Sequence, residues 1–143
     1  MKSFGKSSCH GGVIESYAVD GGQKVTDTGP LTIERMKTFD DELVRRSVDF
    51  MKRAHDANKP FFLWFASSRM HVYTHLKDES RHLATPISSE EDVFGSGLME
   101  HDGHVGKLLD TLDELGIADN TIVIYTTDNG PESSTWPDAG TTM

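Results

Sequence analysis

The stretch "IVIYTTDNGPE", residues 122–132, decides the fold. An apolar, β-rich run from Ile122 to Tyr125 stops abruptly in Asp128, Asn129, Gly130 and Pro131. A carboxylate and a carboxamide thus stand side by side at the end of a predicted strand, 121–127. Asp supplies a carboxylate oxygen and Asn a carbonyl oxygen, hard donors suited to Ca²⁺ or Mg²⁺ rather than to soft metals. Gly130 lets the backbone turn away at once. The competing reading is a turn. "NG" favours a type I′ hairpin, but "PESSTWPDAGTT" after it has two prolines and little β pattern. Local sequence alone favours a plain surface turn over a cation site.

Upstream of this strand, "SGLMEHDGHVGKLLDTLDEL" predicts a helix over 96–115, with Leu98, Val105, Leu108, Leu109 and Leu112 as its apolar stripe. Gly116 is a natural residue to end it. His101 and Asp102 lie within the stripe and His104 at its edge. They read as partly buried polar groups hydrogen-bonded towards the loop ends, since buried polar groups find partners. A second apolar run, 61–66 in "KPFFLWFA", follows Pro60 and suits a strand covered on both faces. Before it, 32–57 reads as an amphipathic helix with Thr32 as N-cap. Met36, Phe39, Leu43, Phe50, Met51 and Ala54 form its stripe, flanked by Val44 and Val48. Residues 1–30 are polar and glycine-rich and read as irregular, except for "VIESYAV" (13–19), a candidate short strand. Residues 128–143 read as a loop.

Helix, strand, loop, helix, strand is the order of a right-handed βαβ crossover in a parallel sheet. Ligands collect outside the carboxyl ends of such strands. Both candidate sites fall there: Asp128–Asn129, and the histidine-bearing loop 67–95. A loop of that length is usually functional or disordered, and it carries Arg69, His71, His75 and His82. His71 can act as hydrogen-bond donor or general acid, or it can merely satisfy backbone groups. His71 and His75 have the spacing of a zinc-protease pair. Val72, however, stands where the catalytic glutamate belongs, and that motif is rejected.

The totals set bounds. The 143 residues suffice for one domain, at 36% hydrophobic and 26% charged. No apolar run approaches the ~20 residues of a membrane span, and the start has no apolar stretch of a secretory signal. A net charge of −9 argues against a nucleic-acid partner. The single cysteine, Cys9, excludes an internal disulfide framework.

Three stretches in order resemble one family. "GLMEHDGHVGKLLDTLDELGIADNTIVIYTTDNGPE" looks like the sulfatase pattern of helix, strand and D-N-G. "KPFFLWFASSRMHVYTH" resembles that family's apolar strand and histidine loop. "DTGPLTIERMKTFDDELVRRSVDFMKRA" matches the stretch upstream. The resemblance covers roughly residues 13–143. It implies an alkaline-phosphatase-like α/β fold, present here in part, with βαβ units of a mainly parallel sheet flanked by helices. It implies a sulfuric ester hydrolase of arylsulfatase type acting on a sulfate ester small molecule or a sulfated glycan. Asp128 and Asn129 align with ligands of the family's Ca²⁺ or Mg²⁺ ion, which reverses the local preference for a plain turn. His71 aligns with the histidine that contacts the sulfate or leaving oxygen. Members of the family are often periplasmic or secreted.

The departures are equally specific. The family's nucleophile, a formylglycine made from the cysteine of C-x-P-S-R, has no counterpart, because Cys9 is followed by His10-Gly11-Gly12-Val13. Formylglycine is therefore not expected. The paired aspartates that supply further metal ligands are missing, and "DD" at 40–41 does not align with them. The family's lysines and its upstream histidine are missing too. The expectation is an internal segment with an incomplete cation ligand set, weakly active or inactive alone, whose exposed sheet edges invite self-association. Two alternatives stay open: a non-catalytic module derived from a sulfatase, and a phosphatase or phosphonate hydrolase of the same superfamily.

Overall fold

A computed structural model of the chain describes residues 12–71, 74–84 and 92–130. Cys9, residues 72–73 and 85–91 of the loop 67–95, and residues 131–143 of the predicted last loop lie outside the described residues. The chain divides within the first turn of its first helix into two compact units, residues 1–36 and 37–143.

The first unit holds an antiparallel hairpin of β1 (Gly12–Val19) and β2 (Gly22–Pro30). Asp20 and Gly21 make its two-residue loop, and Gly21 has φ +79°, a conformation that costs glycine little. Near the far end β2 carries one extra residue between the Gly12–Pro30 and Ile14–Asp27 pairs. Gly29, at φ +95°, absorbs that bulge, while Thr28 Oγ1 donates to the Val13 carbonyl at 2.7 Å. The candidate strand at 13–19 is present. The reading of 22–30 as irregular is corrected, because polar, glycine-containing β2 pairs with β1 from Gly22 to Asp27 and again at Pro30. Ladder hydrogen bonds are made by the backbone, and the Asp-Gly loop sets the register whatever the side chains.

The helix predicted over 32–57 is α1 (Ile33–Asp56). Thr32 Oγ1 accepts from Arg35 N at 3.2 Å, as an N-cap does. In the second unit its innermost residues are Asp40, Val44, Ser47 and Met51, with Met51 only 2% exposed. That line repeats at i, i+4, i+7 and i+11 and is rotated from the expected stripe, so that Val44 is core rather than flank.

The helix predicted over 96–115 is α2 (Val93–Glu114), begun three residues earlier because Asp92 caps it, its carboxylate accepting from Gly95 N at 2.7 Å. Gly116 follows at φ +67°. The buried line of α2 is Ser96, Gly97, Glu100, Thr111 and Leu112, whereas Leu98 is 46% exposed and Leu109 is exposed as well. The expected stripe is corrected in part: Leu112 is buried and Val105 and Leu108 are half-buried, but Leu98 and Leu109 face out and the polar Ser96, Glu100 and Thr111 face in.

The segments 61–66 and 121–127 form no ladder with each other, and β1–β2 is the only sheet among the described residues. Along 61–66 half-buried Phe61, Leu63 and Phe65 alternate with Phe62 at 83% and Trp64 at 81% exposure, a period of two. Phe61 packs edge-to-face on Phe50 with centroids 5.9 Å apart. Burial on both faces, expected from the continuous apolar run, does not occur. A sheet face is buried only by another layer laid on it. No helix among the described residues is long and apolar enough to cross a membrane.

Candidate functional site

A buried charge network lies where α1, α2 and the loop after residue 66 converge. Asp40 points inward from α1 with its side chain 1% exposed. Its two oxygens accept from the backbone N–H groups of Ser68, at 2.9 Å, and Arg69, at 3.1 Å. The Arg69 side chain, 2% exposed, donates Nη2 to Glu100 Oε2 at 2.8 Å and Nε to the same oxygen at 3.2 Å. Nη2 also reaches the Lys37 carbonyl at 3.3 Å. One cation therefore faces two buried carboxylates, and backbone donors satisfy both oxygens of Asp40, which is how buried ions are tolerated.

Further out, Asp41 bridges two partners. Oδ2 accepts from Lys77 Nζ at 2.9 Å, and Oδ1 lies 2.8 Å from His104 Nε2. Burial raises the Asp41 carboxyl, but the hydrogen bonds and charges of Lys77 and His104 outweigh it and hold the group below its ordinary value. Burial likewise lowers Lys77, while its bond to Asp41 and the charges of Asp41, Glu100 and Glu79 raise it above its ordinary value. Glu100 Oε1 and His104 Nδ1 are buried without a hydrogen-bond partner among the described residues, and Lys77 Nζ lies 4.0 Å from Glu100 Oε1.

The predicted site residues lie at the ends of segments tied to this network. His71 follows Arg69 by two residues and is exposed. Its N–H donates to Thr74 Oγ1 at 3.3 Å, and its carbonyl accepts from the same hydroxyl at 2.6 Å. A Cβ on Gly97 would stand 3.1 Å from Met70 Sδ and 3.3 Å from Thr74 Cγ2. The missing side chain thus lets the residues flanking His71 lie close against α2. Asp128 and Asn129 sit in an exposed bend. There Gly130 N donates to Thr127 Oγ1 at 3.2 Å, and Gly130 has φ +75°, the immediate change of direction expected of it.

His101 of α2 joins the two segments. Nδ1 lies 3.2 Å from Ser67 Oγ, and Nε2 lies 3.1 Å from Tyr125 Oη. The one Ser67 hydroxyl proton goes to the Arg69 carbonyl at 2.7 Å. Nδ1–H must therefore be the donor to Ser67, and in the neutral ring Nε2 accepts from the Tyr125 hydroxyl. Burial lowers the His101 pKa from its ordinary 6.5. The charges of Asp40 and Asp102 oppose that, and those of His104 and Arg69 reinforce it. The expected bonding of this polar residue towards both loop ends is observed. Asp102, by contrast, is exposed.

Sequence reasoning missed the Asp40–Arg69–Glu100 network. The available signal was an acidic residue at each of two inward helix positions, Asp40 in line with Val44, Ser47 and Met51, and Glu100 in line with Ser96. Acids at such positions need a buried cation.

The donor types of Asp128 and Asn129 fit a hard cation, but their number does not complete one. Ca²⁺ takes six to eight oxygens. Among the described residues no group of three or more His, Cys, Asp or Glu side chains could hold a metal.

A family model described as Sulfatase matches residues 8–142. Arylsulfatase A of Homo sapiens is 39% identical over 85 residues, covering 59% of this chain and 16% of that protein. N-acetylgalactosamine-6-sulfatase of Canis lupus familiaris is 34% identical over 99 residues, 68% of this chain and 18% of that protein. Steryl-sulfatase of Rattus norvegicus is 36% identical over 97 residues, 66% of this chain and 15% of that protein. The chain thus spans between 15% and 18% of the length of these three relatives. No solved structure matches it.

Proposed function

Because this chain belongs to the sulfatase family, with the alkaline-phosphatase-like α/β fold that membership implies, we propose that it forms part of a sulfuric ester hydrolase of arylsulfatase type. In this reading 61–66 and 121–127 are strands of a mainly parallel sheet, and residues 67–71 and 128–130 line one rim of the site. Asp128 and Asn129 provide two oxygens for a Ca²⁺ or Mg²⁺ ion. When bound, such an ion neutralises charge on the sulfate oxygens. His71 would donate a hydrogen bond or proton to the leaving oxygen of the bound ester. Arg69, two residues earlier, anchors the His71 loop to α1 and α2.

The observation that carries the reading is the family match over residues 8–142, which spans the histidine loop and the D-N-G turn together. The substrate class is a sulfate ester, either a small aryl ester or a sulfated glycan. The chain has no C-x-P-S-R motif, so covalent catalysis by a formylglycine is not assigned to its residues. Cation binding is the property to test. Calorimetric titration of the full chain should show weak Ca²⁺ binding, near or above about 10⁻³ M, lost in Asp128→Ala and weakened in Asn129→Ala. Binding unchanged by both substitutions would overturn the assignment. An aryl sulfate and an aryl phosphate assayed side by side test the chemistry: turnover of the phosphate alone, lost in His71→Ala, would move the chain to phosphorus chemistry.

A further inference from the structure

We propose that His101 is a positioning residue of the candidate site, fixing the spacing between the segment that carries His71 and the segment that carries Asp128 and Asn129. The proposal deepens the reading above and rests on it for the importance of those three residues.

Ser67 precedes His71 by four residues, and Tyr125 precedes Asp128 by three. The His101 ring lies between them, 3.2 Å from Ser67 Oγ and 3.1 Å from Tyr125 Oη. Its ring and that of Tyr125 also pack, with centroids 5.9 Å apart and a tilt of 42°. Among the described residues the two segments share no ladder hydrogen bonds with each other. What bridges them directly is a side chain on a third element.

The third element is itself anchored. Glu100, the residue before His101, holds the Arg69 guanidinium at 2.8 Å. Arg69 N donates to Ser67 Oγ at 3.0 Å, and the Ser67 hydroxyl returns to the Arg69 carbonyl. The Ser67 oxygen is thereby held from the Arg69 backbone before His101 reaches it. With its proton committed, Ser67 can only accept from His101, so the imidazole has one tautomer and its remaining nitrogen has one task, to receive the Tyr125 hydroxyl. The charged groups that act on the ring are Asp40, Asp102, Arg69 and His104. A leucine or phenylalanine at this position would fill the space against Tyr125 and leave the two segments unlinked.

The test uses the full chain and amide hydrogen exchange read residue by residue by NMR. Tyr125→Phe removes one hydroxyl and keeps the ring. If His101 couples the segments, exchange rises about two- to tenfold, the equivalent of one ordinary hydrogen bond, at 67–71 as well as at 123–130. In a His101→Phe background, Tyr125→Phe should have no further effect at 67–71. His101→Gln keeps a donor and an acceptor on a planar head and should recover part of the coupling. A change confined to 121–130 overturns the proposal, as does an equal change at every amide, which would report only lost global stability. Failure here is separable from failure of the functional reading, because that reading is judged by Ca²⁺ binding in Asp128→Ala.

Discussion

Two parts of the second unit invert the usual distribution of polarity. Where α1 and α2 meet, Asp40, Arg69, Glu100, Ser96 and Thr111 are buried. Along 61–66 and 121–127, Phe62, Trp64, Ile122 and Ile124 stand in solvent, Ile122 at 90% exposure. The contrast shows that burial here follows partnership rather than hydropathy. Most of these interior polar atoms have partners that offset their desolvation, Glu100 Oε1 being an exception. The Asp40 oxygens take two backbone donors, Ser96 Oγ bonds the Arg81 carbonyl and Ala84 N, and Thr111 Oγ1 returns to the Lys107 carbonyl. Among the described residues no layer is laid over these exposed apolar side chains.

Breaking the interior side of the contrast should have the largest effect. Arg69→Ala leaves Glu100 buried without its cation and removes the charge beside Asp40, and it should cost about 3–5 kcal/mol. Chemical denaturation would measure this, and Arg69→Met combined with Glu100→Leu should recover most of the loss. If the single substitution is neutral, the network is not what holds the two helices and the loop together.

Acid should loosen the outer part of the same region more gently. The Asp41 carboxyl titrates below its ordinary 3.8 in the folded chain. Its contribution is therefore present above that value and is lost as pH falls through the lower folded value. His101 titrates below its ordinary 6.5, so its contribution is complete above 6.5 and declines as pH drops beneath it. Lys77, raised above 10.5, contributes below that value and ceases to do so as pH rises through its folded value. Asp41 is partly solvated, so its pair with Lys77 contributes no more than about 1 kcal/mol. Melting curves between pH 3 and 8 should show Asp41→Asn removing the acid-side part of the slope and His101→Phe the part that begins as pH falls through 6.5.

Smaller still is a helix effect that touches neither region. A Cβ at Gly103 meets nothing within 4 Å, so Gly103→Ala should stabilise α2 by about 0.5–1 kcal/mol. A Cβ at Gly95 would strike the Asp92 carboxylate, and it would lie 2.8 Å from the Ala84 Cβ. Gly95→Ala should therefore lower the melting temperature where Gly103→Ala raises it.

The smallest stability change is expected on the exposed side. Phe62→Ser and Trp64→Ser should alter unfolding by no more than about 0.5 kcal/mol, while shifting any self-associated chain towards monomer in analytical ultracentrifugation. A loss as large as that of Arg69→Ala would mean that these rings are packed in solution, and the contrast would fail.

Much of this architecture is legible in the residues. Thr32 as a cap, the two long helices and Gly116 as a stop all follow from local rules, because caps and helical periodicity act over a few residues. The D-N-G turn after an apolar run and the histidine two residues beyond Arg69 were also readable, together with the family they resemble. β2 was hidden because its side chains are polar, although its Asp-Gly turn was in plain view. The inward faces of both helices were hidden because apolar count suggested one side, while long-range ion pairs between Asp40, Arg69 and Glu100 selected another.

By itself, then, the sequence determined where helices begin and end and which short motifs carry oxygen donors and imidazole, since those depend on neighbours along the chain. Only the tertiary structure decided that Ser67 and Tyr125 would share one imidazole and that Arg69 would be sealed between two acids. Such pairings join residues 28 to 34 positions apart in the case of Asp40–Ser68 and Ser67–His101. Their strength comes from exclusion of water by packed elements, a condition that no local pattern contains.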